Sequence, residues 1–424
     1  MPDLSAWLVL AIVALTLALI LIRPRDLNEA WIASGGAIAM LLAGVVRPEA
    51  LPGVVSQTAG VLLFLLGMMV LTGIVERAGI FDLVAERCAD FSFGNGIALY
   101  VLLFLFGAIV TALLSLDVTI IMLTPIVYAV TKRRGMDPLP FLFACTFVAN
   151  TASLVFPFSN LTNLLLYEPL GLSFRQFTSA MWLPNMVAML TNLALFLWLF
   201  RSRIPRHLPA ILMDEPGIPA PNVASRGWRR KVAVLLVISL SLLFACGFAG
   251  LPLWWAALAG ATLAFIPALI THRTTLAQTA ADISWPLFVF VIAMTVLVRG
   301  VERTWLADLT LSPPESNAGA VATGVLSGAI GSNVINNVPM AVLARSVLER
   351  MPVENQPVLA YSVLVGTNIG PALTTYGSLA TMLWLTLVRQ RGMTITTRSY
   401  LAISLITVPI VLLTTSISLW LVVR

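Results

Sequence analysis

Apolar segments bounded by charged residues recur along the whole chain. In the first half they lie at roughly residues 5–22, 29–46, 54–75, 97–131, 139–167 and 178–200. After a Pro- and Arg-rich stretch the pattern restarts at roughly residues 232–249, 251–271, 284–301, 317–344, 357–388 and 399–423. A hydrocarbon core about 30 Å thick takes roughly 20 helical residues per crossing. The pattern therefore predicts an all-α polytopic membrane protein with about ten crossings.

The fourth segment of each half is too long for one straight span. At about 1.5 Å per residue, residues 97–131 would extend roughly 50 Å, well beyond the hydrocarbon. Small and polar residues interrupt this segment at Ser115-Leu116-Asp117 and its counterpart at Gly331-Ser332-Asn333. We predict a re-entrant hairpin that turns at each triplet. Because a backbone break cannot face lipid, both tips are expected to be buried in protein or to line a wet cavity.

The fifth segment of each half contains an interior break. Polar, Gly and Pro residues interrupt residues 149–163 and residues 367–381 at corresponding places. The matched pairs are Asn150 with Asn368, Asn160 with Ser378, and Asn163 with Thr381, and in the hairpins Asp117 with Asn333. Paired intramembrane breaks indicate the binding site of a secondary transporter. The alternative is that these polar residues only hold helices together, but their recurrence in both halves favours the site.

The repeated pattern predicts two inverted-topology repeats, residues 1–200 and 232–424, joined by a cytoplasmic basic linker at 201–231. Each repeat has three spans, a re-entrant hairpin, a broken helix and a closing span. A hairpin that returns to its own side leaves an odd number of crossings, so the second repeat is inverted. If both termini lie outside, most of the 25 basic residues fall in cytoplasmic loops, as the positive-inside rule requires. We therefore predict a multi-pass protein of the inner (cytoplasmic) membrane.

Composition supports a membrane protein and limits the other functions. Hydrophobic residues make up 59% of the chain and charged ones 10%, against about a quarter in a soluble domain. Since topology explains the net charge of +6, we expect no nucleic-acid partner. The three cysteines are far apart and neither histidine lies in an apolar segment, so we expect no metal site and no cofactor. The same observation counts against a membrane-embedded enzyme or sensor, the remote alternative.

Asp117 is the one acidic residue inside a long apolar segment. Burial disfavours the charged form of a carboxylate, so that its protonated and ionised forms become closer in free energy. A group that takes up and releases protons during transport needs both forms to be accessible. The alternative is that Asp117 simply caps the returning arm of the hairpin. Ser or Asn would cap without placing a charge in the membrane, which favours proton coupling. Asn333, its predicted counterpart, cannot titrate, so only one side of the site would carry a switchable charge.

Four motifs together are similar to those of a known family. They are Leu116-Asp117-Val118-Thr119 with Leu123-Thr124-Pro125, residues 150–163, Ser332-Asn333 through Asn336-Asn337-Val338-Pro339, and residues 377–381. Over nearly the whole chain they resemble the ArsB family of arsenite permeases, within the ion transporter superfamily. The resemblance implies two inverted repeats, each with a hairpin and a broken helix. It also implies export of arsenite or antimonite by exchange for protons, or with help from a cytoplasmic arsenical-pump ATPase.

On this basis we predict a site for a small hydroxylated substrate, since arsenious acid is a mostly neutral trihydroxy molecule at neutral pH. Asp117 is the predicted proton-coupling residue. The predicted substrate-binding residues are Ser115, Asn150, Thr151, Ser153, Asn160, Asn163, Asn333, Asn336, Asn337, Thr367, Asn368, Ser378 and Thr381. The alternative functions are a sodium/proton antiporter and another anion carrier of the superfamily. The Ser-Asn-Thr signature expected of dicarboxylate carriers is replaced at the first tip by Ser-Leu-Asp, which weakens the second alternative.

Overall fold

The computed structural model describes residues 4–22, 24, 27–208, 224–304 and 314–424, and within these ranges it is helical, with no strand. The first half contains α1 (Leu4–Ile22), α2 (Glu29–Leu42), α3 (Leu51–Arg77), α4 (Ile80–Phe91), α5 (Gly96–Leu113), α6 (Leu116–Val118), α7 (Thr124–Arg133), α8 (Leu139–Thr151), α9 (Leu161–Tyr167) and α10 (Phe174–Leu199). The second contains α11 (Arg226–Phe248), α12 (Leu253–Ile270), α13 (Leu276–Asp282), α14 (Trp285–Val301), α15 (Asn317–Ile335), α16 (Asn337–Leu348), α17 (Gln356–Ile369), α18 (Leu379–Gln390) and α19 (Thr397–Val423). The all-α prediction is confirmed.

Seven of the described helices are long and apolar enough to cross a membrane: α3 with the turn before it, α5, α10, α11, α12, α15 and α19. An eighth is added if α13 and α14, which meet at a 47° bend, form one broken span. Shorter apolar helices include α2, α8 and α16. The helices therefore confirm a multi-pass membrane protein, and the number of ten crossings stays a prediction.

Helices that correspond in the two halves make corresponding contacts. The helix α2 packs on α14 as α12 packs on α3, and α10 packs on α19. In the same way α8 contacts α5 and α10, while α17 contacts α15 and α19. Such pairing is what two repeats related by a two-fold axis would produce. The inversion of one repeat in the membrane stays a prediction, as do the limits of the two repeats. Most of the predicted linker, residues 209–223, lies outside the described residues, and α11 already begins at Arg226.

The first hairpin turns where the sequence predicts. Helix α5 ends at Leu113, and Ser115 adopts an extended conformation before α6 begins. The Ser115 hydroxyl accepts a hydrogen bond from the backbone N–H of Val118 at 3.3 Å. Ser115 is therefore the cap of the returning helix, and Asp117 is free for another role.

The predicted turn of the second hairpin is wrong by a few residues. Helix α15 continues through Gly331-Ser332-Asn333, and the chain turns at Asn336, which has a φ of 74°. The Asn333 amide bonds back to the carbonyl of Ala329 at 2.9 Å, so the helix absorbs this polar residue. Asn tolerates a positive φ better than most residues, and Asn336 also caps α16 by accepting the N–H of Val338. Asn336, rather than Asn333, is thus the counterpart of the first hairpin's cap.

The two predicted breaks are present, at equivalent positions. Between α8 and α9 the chain leaves the helix for residues 152–160, and between α17 and α18 for residues 370–378. Asn150 and Asn368 each lie one residue before the end of the first half-helix. Asn160 and Ser378 each cap the second half-helix by accepting a backbone N–H. The backbone thus exposes free carbonyl groups at one end of each break and helix N-termini at the other.

Glycines let α15 and α17 approach closely. A Cβ added to Gly328 would lie 2.6 Å from the carbonyl oxygen of Val363, and one added to Gly366 would collide with the carbonyl oxygen of Val325. In a membrane, where no hydrophobic effect drives helices together, such backbone contact supplies the packing energy.

We expect Gly328→Leu to separate these helices and to destabilise the protein by about 1–3 kcal/mol or more. The fraction of monodisperse protein in detergent, measured by size-exclusion chromatography after graded heating, reports the loss. The control is Gly35→Leu, because Gly35 is exposed on α2 with nothing within 4 Å of an added Cβ. Equal stability of the two variants would contradict the close-packing argument.

Candidate functional site

A cavity of about 300 Å³ lies where helices from both halves begin. Its wall includes the N-terminal residues of α2, α6, α14 and α18. Its lining residues are Leu27, Asn28, Glu29, Ala30, Met69, Asp117, Ile121, Ser284, Pro286, Leu287, Phe290, Leu379, Leu383 and Thr386. Each helix N-terminus carries free N–H groups and a partial positive charge. These helix N-termini therefore offset part of the negative charge of the carboxylates that line the cavity.

The cavity borders two loops that the predicted topology places on the same side of the membrane. Leu27 and Asn28 precede α2, and Ser284 lies between α13 and α14. The topology predicted from the basic residues would place both of these loops in the cytoplasm. We therefore expect the cavity to be reached from the cytoplasmic side in this conformation.

Asp117 is the one predicted site residue that lines this cavity. It is the second residue of α6 and is half-buried. Among the described residues it has no hydrogen-bond or ion-pair partner, and it stands in the first turn of the returning helix, where free N–H groups favour a carboxylate. Its carboxylate is thus available to a substrate or a proton.

A second carboxylate, that of Glu29, which the sequence analysis did not single out, lines the same cavity. Glu29 is the first residue of α2 and only 6% exposed. Sequence reasoning passed over it because it stands at the end of an apolar segment. The available signal was Asn28 directly before it, since Asn is a preferred helix cap and here accepts the N–H of Ala30 at 2.9 Å. Within the described part of the chain, no Lys, Arg or His lines the cavity.

The first break is filled by Asn368 from the other half. Its Oδ1 accepts hydrogen bonds from Ser153 Oγ at 2.7 Å and from Asn160 Nδ2. Its Nδ2 donates to Asn163 Oδ1 at 3.0 Å, to Thr162 Oγ1 and to the Leu364 carbonyl. All of these residues are buried. One amide therefore joins both sides of the first break to the end of α17.

Asn150, the counterpart of Asn368, makes no side-chain hydrogen bond to the other half among the described residues. Its Nδ2 donates to the carbonyl of Thr146 at 2.7 Å, while its buried Oδ1 has no partner among the described residues. Its neighbour Thr151 accepts a bond from Asn192 Nδ2 at 3.1 Å. The two halves thus share backbone geometry but differ in their side-chain connections across the centre.

The second break is held by the second hairpin. Asn333 Nδ2 donates to the carbonyl of Gly370 at 2.8 Å, and its Oδ1 accepts from Thr374 Oγ1 at 2.7 Å. Asn336 Nδ2 donates to the carbonyl of Tyr376, and the backbone N–H of Asn337 donates to the carbonyl of Gly377. Asn337 also has a buried Oδ1 with no partner among the described residues. The hairpin and the break thus form one polar unit.

Three further predicted site residues lie at or near the second break. Ser378 and Thr381 hydrogen-bond to each other at 2.9 Å, and Thr367 is buried within α17. The amide and hydroxyl residues thus form two clusters, one around each break. Asp117 shares the cavity with Leu379, the residue after Ser378, so the first hairpin meets the second break there. Substrate binding by residues of the two clusters stays a prediction.

Within the described ranges, no group of three or more His, Cys, Asp or Glu residues could hold a metal ion. Cys145 is buried in α8, and its surroundings include Tyr100, Phe104 and Phe141. Its neighbourhood is apolar and aromatic, as for a packed core cysteine.

Comparison with known proteins identifies the family. The family model described as citrate transporter, CitMHS, matches residues 16–366. The arsenical pump membrane protein of Escherichia coli (strain K12) is 28% identical over 418 residues, covering 95% of this chain and 96% of the relative. A putative arsenical pump membrane protein of Bacillus subtilis is 26% identical and covers 94% and 96%.

A solved structure has the same fold. The YdaH transporter of Alcanivorax borkumensis matches 99% of this chain and 97% of its own, with a TM-score of 0.56 and 16% sequence identity. The predicted family resemblance is confirmed by these relatives together with the family model, and the protein is a transporter rather than an enzyme. The chain belongs to the citrate transporter (CitMHS) family of membrane transport proteins.

Proposed function

We propose that this transporter carries arsenite or antimonite out of the cell in exchange for protons. Its relatives in Escherichia coli and Bacillus subtilis bear the name of arsenical pump membrane proteins. The observation that carries the proposal is Asp117, a carboxylate without a protein partner among the described residues, in a cavity bordered by loops predicted to be cytoplasmic. A single such acid can hold either a proton or the substrate's hydroxyl groups.

The charge of the cavity favours a neutral substrate. Citrate, the substrate in the family's description, carries about three negative charges at neutral pH. Among the described residues, the cavity wall includes the carboxylates of Asp117 and Glu29 and no basic side chain. Like charges at close range disfavour binding strongly, and helix N-termini offset only part of that cost. Arsenious acid is mostly uncharged and brings three hydroxyl groups, which can donate to the carboxylate of Asp117.

The proposed cycle uses one group for two ligands. On the cytoplasmic side, ionised Asp117 accepts hydrogen bonds from the hydroxyl groups of the substrate. On the outer side a proton binds to Asp117, which neutralises the carboxylate, weakens the hydrogen bonds that it accepts and favours release of the substrate. The protonated residue then returns and loses its proton to the cytoplasm. Movement of the hairpins and broken helices against the remaining helices would switch access between the two sides.

Transport into inverted membrane vesicles tests the proposal. We expect an acidic interior to drive arsenite uptake without sodium and without ATP, and a protonophore to abolish it. Vesicles from cells that lack the protein are the control. Uptake of citrate in place of arsenite under these conditions would overturn the proposed substrate.

A sodium/proton antiporter is the second candidate, because two carboxylates, and no basic side chain, are among the described lining residues, which also suits a cation. In the same vesicles an antiporter would show sodium-dependent proton movement without arsenite. A cytoplasmic ATPase subunit, implied by the family resemblance, is a separate prediction. Arsenite uptake that requires ATP and resists the protonophore would show that such a subunit drives transport.

A further inference from the structure

A groove at the start of α11 lies apart from the transport cavity. Its volume is about 500 Å³, and it runs between α11 and the end of α12. Gly227, Trp228, Arg230, Lys231, Val234, Leu235 and Pro267 line it. Nothing lies within 4 Å of a Cβ added to Gly227, so the groove is open at this point. The surface of the groove is almost entirely apolar, so the exposed Arg230 and Lys231 line it mainly with the methylene parts of their side chains and place their charges at its mouth.

The charge around this groove is strongly one-sided. Between residues 224 and 281 the basic residues are Arg226, Arg229, Arg230, Lys231 and Arg273, and the first acidic residue is Asp282. Arg230 and Lys231 are exposed, and no described acidic residue pairs with either of them. The Arg273 guanidinium lies 6.0 Å from the centre of the Trp228 ring, so a cation from the end of α12 stays beside α11. The groove mouth thus offers unneutralised positive charge to an anion.

The apolar wall of the groove continues along the faces of two membrane-spanning helices. Val234 on α11 is 52% exposed, and Val237 and Ile238 extend the exposed strip. On α12, Ile266 and Ile270 are also exposed. An anion with a long apolar tail would therefore find a continuous apolar track below the basic mouth. Trp228, Arg and Lys at the end of a span are the residues that membrane proteins place at the lipid interface.

We propose that this groove is a specific binding site for an anionic phospholipid of the phosphatidylglycerol type. Arg230 and Lys231 bind the headgroup phosphate, and an acyl chain lies along Val234, Leu235 and Pro267. Charge complementarity selects the lipid over zwitterionic ones, and the apolar wall selects it over a free phosphate. Because the site is remote from Asp117, it does not depend on the transported substrate.

The test uses the purified full-length chain in neutral detergent. Added phosphatidylglycerol is expected to raise its unfolding temperature, and native mass spectrometry should detect a retained lipid molecule. Phosphatidylcholine and inorganic phosphate should do neither. In R230Q/K231Q we expect the affinity for phosphatidylglycerol to fall roughly thirtyfold, since each basic residue contributes about a fivefold gain near an anionic surface. V234W, which keeps the charges but fills the apolar wall, should also weaken lipid binding.

The matched control is R389Q/R398Q, which removes two exposed basic residues from α18 and α19. It should retain the lipid as the unmodified chain does. If both double variants lost the same affinity for phosphatidylglycerol, the lipid would be held by the overall surface charge and not by this groove, and the proposal would be overturned. Stabilisation by inorganic phosphate equal to that by the lipid, or a V234W variant that binds lipid as the unmodified chain does, would also overturn it.

Discussion

Replacing Asp117 by asparagine is expected to abolish arsenite uptake driven by a pH gradient, down to the level of vesicles without the protein. The amide would keep the shape of the side chain and could still bind hydroxyl groups, but it cannot exchange a proton. No hydrogen bond or ion pair of the described residues is lost, so the variant should fold and reach the membrane normally. Exchange of labelled for unlabelled arsenite at equal pH should persist, because that exchange needs no net proton movement.

The control for this variant is Glu49→Gln, which neutralises an exposed acid in the turn before α3. It should transport as the unmodified chain does. If D117N also transported arsenite against the gradient at an undiminished rate, Glu29 would become the candidate for proton coupling, and the role proposed for Asp117 would be wrong.

Replacing Asn368 by alanine is expected to give the largest loss of stability among single substitutions at the site. The change removes an amide that bonds four residues of the first break, and leaves several buried polar groups short of a partner. Each such group costs about 1–3 kcal/mol, and the losses overlap, so we expect a total of roughly 3–5 kcal/mol. The unfolding temperature in detergent, followed by tryptophan fluorescence, measures the change.

Asn150→Ala is the matched control, because Asn150 has the same place in its own half but makes a single side-chain bond, to its own helix. We expect it to cost about 1 kcal/mol or less. A loss in N150A as large as in N368A would contradict the asymmetry between the two breaks.

The helix breaks and the first turn could be predicted because they depend on the residues at those positions and their neighbours in sequence. Pro157, Pro371 and their polar neighbours cannot continue an apolar helix, so the breaks at 152–160 and 370–378 followed from the sequence. The small and polar triplet Ser115-Leu116-Asp117 placed the first turn correctly, although the cap is Ser115 and not Asp117.

The second turn could not be located in this way. Gly331-Ser332-Asn333 is typical of a turn, yet the helix keeps all three residues. The helix tolerates Asn333 because its amide finds the carbonyls of Ala329 and Gly370. Gly331 allows close approach, since a Cβ there would collide with Met340 on the returning helix. These partners are set by tertiary packing, which local sequence does not reveal.

The residues that line the cavity also could not be predicted from local sequence. The amide and hydroxyl residues of the breaks were expected to line it, but in this conformation they bond mainly to each other and to the backbone around each break. Four helix N-termini and two carboxylates form its wall instead. Glu29 and Ser284 stand far apart in sequence and meet Asp117 only through the packing of α2 on α14. Convergence of helix ends from both halves is a property of the fold.

Exchange of arsenite for protons through Asp117 can be tested by measuring the proton movement that arsenite itself causes. Purified protein would be reconstituted in liposomes that contain a pH-sensitive dye, with equal pH on both sides and no sodium. Adding arsenite outside should make the interior more alkaline, as protons leave in exchange for the entering substrate, and D117N should show no change. Arsenite entry through the unmodified protein without any change of internal pH would contradict the proposed exchange of arsenite for protons.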